Sequence, residues 1–240
     1  MSNVVEVIVG YALSFLFVIP ALTLHEWAHA YVATRLGDPT SRMLGRLSLN
    51  PLRHIDPLGT VLLPIGLLVL SGGAFTFGYA KPVPVNPRYF KDQRKGMMQV
   101  GLAGPLMNVA LALLSGILVR LLWAILILFV ADGSALFSVL GVTLTVVSWF
   151  CYINLVLCFF NLLPIPPFDG SRVVQKLLKG EARRWYNQLE TYGIYIILAL
   201  VWVVPMIFGP EADIIAIYFR YTAEWVFGVL TGIPIDQFFG

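Results

Sequence analysis

Five stretches of this chain carry no charged residue: 7–24, 57–80, 97–119, 133–167 and 191–210. A helix needs about 20 consecutive apolar residues to cross the hydrocarbon core of a bilayer. Backbone polar groups inside lipid have to be satisfied within the spanning element, which selects helices for apolar runs of this length. Composition agrees, with 58% hydrophobic and 12% charged residues, against about 25% charged in ordinary soluble domains. These features predict an all-α polytopic membrane protein of roughly four to six transmembrane helices. Little chain remains for a separate soluble domain. The net charge of +3 bears on orientation in the bilayer, and no nucleic-acid partner is expected. The first run does not read as a signal peptide, because Glu6 precedes it without any Lys or Arg. Cys151 and Cys158 are the only cysteines. Seven residues apart on one predicted helix, they suit neither a disulfide nor a cysteine zinc site.

Lys and Arg gather at residues 35–53, 81–95 and 172–184, and the positive-inside rule places all three clusters in the cytoplasm. The apolar run 57–80 lies between the first two. A full span there would put the second cluster outside. A broken or re-entrant segment is therefore expected, consistent with its prolines 57 and 64 and its five glycines. The first helix then runs inward from an external N-terminus. A helix from about Gly96 runs outward, with Arg120 and Asp132 at its far end. The run from about Ser134 returns to the cytoplasm near Asn161. A helix from about Trp185 to Phe208 crosses outward again, and the tail is either a short span or an interfacial helix.

The first run ends in His25-Glu26-Trp27-Ala28-His29. Residues four apart share a helix face, so both imidazoles can reach one metal ion. Glu26 is then placed to take a proton from activated water. This signature at the end of a membrane run suggests hydrolysis inside the membrane. A catalytic zinc takes three protein ligands, so a third is needed. His54, Asp38, Asp56, Asp92 and Asp169 are the candidates. Asp169 stands out because Pro164, Pro166 and Pro167 hold an extended stretch before it and Gly170 permits a sharp turn after it. On the helix after Gly96, small residues recur every fourth position at Gly104, Ala112 and Gly116, a packing ridge. Asn108 falls in the same register. A buried amide is costly without a partner, and Asn108 is expected to face the catalytic cavity.

The pair of motifs His25-Glu26-x-x-His29 and Asn161-x-x-Pro164-x-Pro166-x-x-Asp169-Gly170 resembles the site-2 protease family of intramembrane zinc metalloproteases. Gly45-Arg46-Leu-Ser-Leu-Asn50-Pro51, His54-Ile-Asp56-Pro57-x-Gly59-Thr60 and Gly104-Pro105-x-x-Asn108 resemble its short bacterial members, and the likeness covers most of residues 8–180. The resemblance implies one zinc per chain bound by His25, His29 and Asp169, with Glu26 as general base. It gives His54 no primary metal role, leaving it a structural or substrate-side residue. It favours Asn161 as a substrate or oxyanion contact over a simple helix cap. The usual Leu-Asp-Gly reads Phe168-Asp169-Gly170 here, which keeps the ligand. The chain has room for neither the PDZ nor the CBS domain that many relatives carry.

A transmembrane substrate helix must unwind before water can attack its carbonyl carbon, and its freed backbone then needs new partners. A small β-element at residues 43–50, where Leu47 and Leu49 alternate around Ser48, is expected to supply them near the active site. Residues 1–180 are expected to form the catalytic core. Residues 181–240 supply C-terminal transmembrane or interfacial helices that gate lateral entry, and the glycine stretch 72–78 is a second gate candidate. The expected partners are transmembrane protein substrates and the lipid bilayer, in the cell's inner membrane with the active site toward the cytoplasm. Two rival functions are a membrane zinc transporter or chaperone and a non-catalytic relative that binds membrane helices. A transporter would offer ligands along a path and give Glu26 no role. A non-catalytic relative would carry a degraded metal motif.

Overall fold

The computed structural model describes residues 2–70, 78–131 and 133–235. Asp132 and all but the last residue of the glycine stretch 72–78 lie outside them. The described residues are helices and turns, with no strand among them. The chain divides into two compact units, Met1–Gly104 and Pro105–Gly240.

In the first unit, α1 (Ser2–Arg35) runs through Pro20 for 34 residues. It stops where Gly37 takes φ +104°. Gly37 N–H then donates to Thr34 O at 3.1 Å and Asp38 N–H to Ala33 O at 3.0 Å, the paired bonds of a glycine-ended helix. Short helices follow, α2 (Thr40–Met43) and α3 (Leu63–Leu70). Between them, Asn50 caps a 3-10 turn at Pro51–Arg53, and Asp56 caps a π-helical turn at Pro57–Leu62. The far end of the apolar segment comes back to its beginning. Tyr79 N–H donates to Gly59 O at 3.0 Å and Lys81 N–H to His54 O at 2.9 Å. A small core gathers Ala33, Phe90 and Val100, with Leu36 and Val85 packed against it.

The expected β-element at 43–50 is not formed. Gly45 turns the chain at φ +66°, and Arg46 N–H closes back on Ser41 O at 2.8 Å. The Ser48 carbonyl accepts from the His54 ring at 2.8 Å, and the Ser48 hydroxyl accepts from Asn50 N–H. Turn chemistry takes the groups that a ladder would have needed.

Helix α4 (Gln93–Phe129) begins with Asp92 accepting from the N–H groups of Arg94 and Lys95 and continues through Pro105. In the second unit, α5 (Ala135–Asn161) is capped by Ser134. Next come α6 (Gly170–Leu177), α7 (Gly180–Leu198), α8 (Val204–Phe208), α9 (Ile214–Phe219) and α10 (Trp225–Thr231). The core joins Ala112 of α4, Cys151 and Leu155 of α5, and Ala223 and Phe227 near the chain's end. The ridge reading holds here, since a Cβ on Gly116 would stand 3.0 Å from Leu230 Cβ. Arg120 donates to Leu230 O and Val229 O, both at 2.6 Å, and so closes the C-terminal end of α10.

Among the described residues, four helical stretches are long and apolar enough to cross a membrane: Gln93–Phe129, Ala135–Asn161, Gly180–Phe208 and Ile214–Thr231. Large apolar side chains are exposed along them, with Phe129 79% and Met206 89% exposed. A soluble chain rarely shows so much contiguous apolar surface, and a bilayer is its natural solvent. The molecule is a multi-pass membrane protein.

Candidate active site

His25 and His29 are both buried, one turn apart on α1. Their Nε2 atoms face each other at 3.0 Å, with the rings edge-on at an interplanar angle of 82°. His29 Nδ1 lies 2.7 Å from the carbonyl oxygen of Val100. A carbonyl only accepts, so Nδ1 carries a proton, and Nε2 is the nitrogen turned toward His25. This is the outer bond that orients a metal-binding histidine. Two nitrogens on one tetrahedral zinc, with bonds of about 2.0–2.1 Å, sit roughly 3.3 Å apart. The observed pair therefore fits that ion.

Gly104 of α4 leaves the room beside them. A Cβ there would stand 2.5 Å from His25 Nε2 and would also strike the His29 ring. Only glycine permits α4 to come this close. Glu26 follows His25 directly on α1. Its Oε2 accepts from Val83 N–H at 3.1 Å. The base candidate is thus held by the segment that returns from the apolar excursion.

Asp169 stands in the second unit, immediately before α6, and its carboxylate makes no capping bond to that helix. Its approach is tightly built. The carbonyls of Leu162 and Leu163 lie where a Cβ on Gly170 would have to sit. Phe168 packs on Phe160 with centroids 4.5 Å apart. Tyr186 of α7 donates its hydroxyl to Pro164 O at 2.8 Å. Gly193 of α7 lies directly against the Pro166 carbonyl, leaving no space for a side chain. α7 therefore braces the proline stretch that presents Asp169.

The other polar candidates have partners of their own. Asn161 ends α5 and donates from Nδ2 to Leu157 O at 2.9 Å, within its own helix. Asn108 is fully buried and donates to Asn154 Oδ1 at 2.9 Å, and Asn154 donates in turn to Phe150 O. The amide pair joins α4 to α5. His54 is buried and donates from Nε2 to Ser48 O, while Nδ1 has no hydrogen-bond partner. It fastens the loop ahead of Pro57.

A histidine pair poised for one metal, with a backbone-held glutamate beside it in a multi-pass chain, marks the molecule as a membrane metalloprotease. The model of peptidase family M50 matches residues 12–204, and the chain belongs to that family. It is 40% identical over 188 residues to a Bacillus subtilis protein provisionally named zinc metalloprotease YwhC, covering 78% of each chain. A Mycolicibacterium smegmatis protein provisionally named zinc metalloprotease Rip2 is 28% identical over 218 residues, 91% of this chain and 77% of that one. MJ0611 of Methanocaldococcus jannaschii, under the same provisional description, is 38% identical over 109 residues, 45% of this chain and 48% of that one. No solved structure matches the chain.

Proposed function

We propose that this chain is an intramembrane zinc endopeptidase that cuts the transmembrane segments of other membrane proteins, with one zinc held by His25, His29 and Asp169. The facing Nε2 atoms, 3.0 Å apart at the end of an uncharged run, are the observation that carries this reading. Membership of the M50 family supports the metal and the chemistry. When bound, zinc supplies Lewis acidity, polarising the scissile carbonyl and acidifying water. Val100 O holds the His29 ring in the tautomer suited to ligation. Glu26 accepts the proton of the attacking water and delivers it to the leaving amine, while Val83 N–H holds its carboxylate. Asn161 contributes its amide to the substrate backbone or the developing oxyanion.

The apolar run 57–80 is a re-entrant segment that enters and leaves the bilayer on one side. This is supported by the bonds from Tyr79 to Gly59 and from Lys81 to His54. The basic clusters put that side, and the site beside it, toward the cytoplasm. The membrane is the cell's inner membrane, and the C-terminal helices control lateral entry of the substrate.

Metal analysis with a cleavage assay tests the roles. Glu26→Gln keeps one zinc per chain and loses proteolysis, because Glu26 moves protons and does not ligate. Asp169→Ala loses zinc and activity together. Equal zinc loss in both variants would show that the roles are wrongly assigned.

A further inference from the structure

We propose that Arg46 is a positioning residue for the catalytic carboxylate, acting on Glu26 through the Pro82–Val83 peptide group. The proposal rests on Glu26 being the general base. Arg46 is buried, only 8% exposed, an unusual place for a charged side chain. Its Nη2 donates to Lys81 O at 2.5 Å and to Pro82 O at 3.2 Å. The Pro82 carbonyl and the Val83 N–H belong to one peptide group, and that N–H donates to Glu26 Oε2 at 3.1 Å. A cation thus sits at the carbonyl end of a single peptide dipole, with a carboxylate at its amide end. Both polarise the group in the same sense, and each strengthens the other's hydrogen bond.

The peptide group is also held still. Pro82 has a fixed φ, and Pro84 restricts Val83 to extended backbone. Lys81 N–H is bound to His54 O on one side. On the other, Ser41 Oγ donates to Pro84 O at 2.8 Å and Asn86 N–H donates to Asp38 Oδ2 at 2.7 Å. Neutral hydroxyls serve two other carbonyls of this segment, Ser41 on Pro84 and Thr60 on Tyr79. The cation spans two successive carbonyls, Lys81 O at the shorter distance and Pro82 O at the longer, and the second belongs to the peptide that carries Glu26. A glutamate has three rotatable bonds, and a general base works only within hydrogen-bond reach of its proton. Fixing the amide fixes the base.

The test uses the zinc-loaded full chain in detergent and a single-span membrane protein that the wild type cleaves. Arg46→Met removes the donors and keeps the stem. Val83→Pro removes one hydrogen from a segment already rich in proline, so it tests the proposal even where Arg46→Met fails to fold. Each is expected to lower kcat about ten- to hundredfold, as for loss of a hydrogen bond to a charged group. KM and zinc content should stay near wild type, and Arg46→Lys should recover part of the loss. In a Glu26→Asp background, where the carboxylate is one methylene shorter, the same changes should cost less than about threefold. Hydrogen exchange gives a readout without turnover. Residues 82 and 84 are prolines, so exchange at 82–84 reports the Val83 amide alone, and it should quicken in Arg46→Met. An equal kcat loss in both Glu26 backgrounds, or unchanged Val83 exchange, would overturn the proposal and leave Arg46 a loop fastener. Full activity of Glu26→Gln would strike the underlying assignment of the base instead.

Discussion

Gly104 carries more of the candidate site than its size suggests. Its missing Cβ is the space that both imidazoles occupy. The His29 ring cannot swing aside freely, because Nδ1 is tied to Val100 O. Gly104→Ala is therefore predicted to cut zinc content well below one per chain while leaving the helices intact. Metal analysis and circular dichroism on the purified variant check this, and full zinc occupancy would contradict it. The histidines and Glu26 were legible in the sequence because their relation is local, set by helical spacing alone. Val100 and Val83 were not, and Arg46 stood only within a motif of the resemblance, with no role attached. They reach the motif from distant positions, and no periodicity marks a backbone carbonyl or amide as a partner. Asn108 was half legible. Its cost in an apolar run required a partner, but only the packing of α4 on α5 made that partner Asn154.

Among the elements, α7 illustrates what sequence reading gives and withholds. Its apolar length was plain, and it carries no catalytic candidate, which suggested a gate. In the fold it lies against the proline stretch before Asp169, through the Tyr186 hydroxyl and the bare backbone at Gly193. A single glycine in an apolar helix gives no hint of which backbone it touches. Gly193→Ala is predicted to push α7 off Pro166 and to destabilise the protein by about 1–3 kcal/mol, the usual cost of overpacking. It should also loosen Asp169 and lower zinc affinity more than an alanine at Gly141, where a Cβ meets open space. Thermal unfolding and zinc titration of the two variants check this, and equal behaviour would contradict it. The β-element at 43–50 failed for a related reason. An alternation of three residues is a weak signal, and the positive φ of Gly45 together with the bonds to Ser48 outweigh it.

For the whole molecule, the uncharged runs announced a multi-pass chain, and the four apolar helices among the described residues agree. Sidedness follows from charge: Arg35, Lys91 and Lys179 should face the cytoplasm. Single cysteines beside them, in a chain lacking Cys151 and Cys158, should be labelled only after the membrane is opened. Labelling from outside would reverse the orientation. The central claim is that this metalloprotease cuts within the bilayer. Mass spectrometry of fragments from a co-expressed single-span protein tests it most directly, comparing wild type with Glu26→Gln. The predicted result is a new terminus inside the apolar segment of the substrate with wild type and none with Glu26→Gln. Termini only in the water-exposed parts of the substrate, or the same cut with Glu26→Gln, would contradict it.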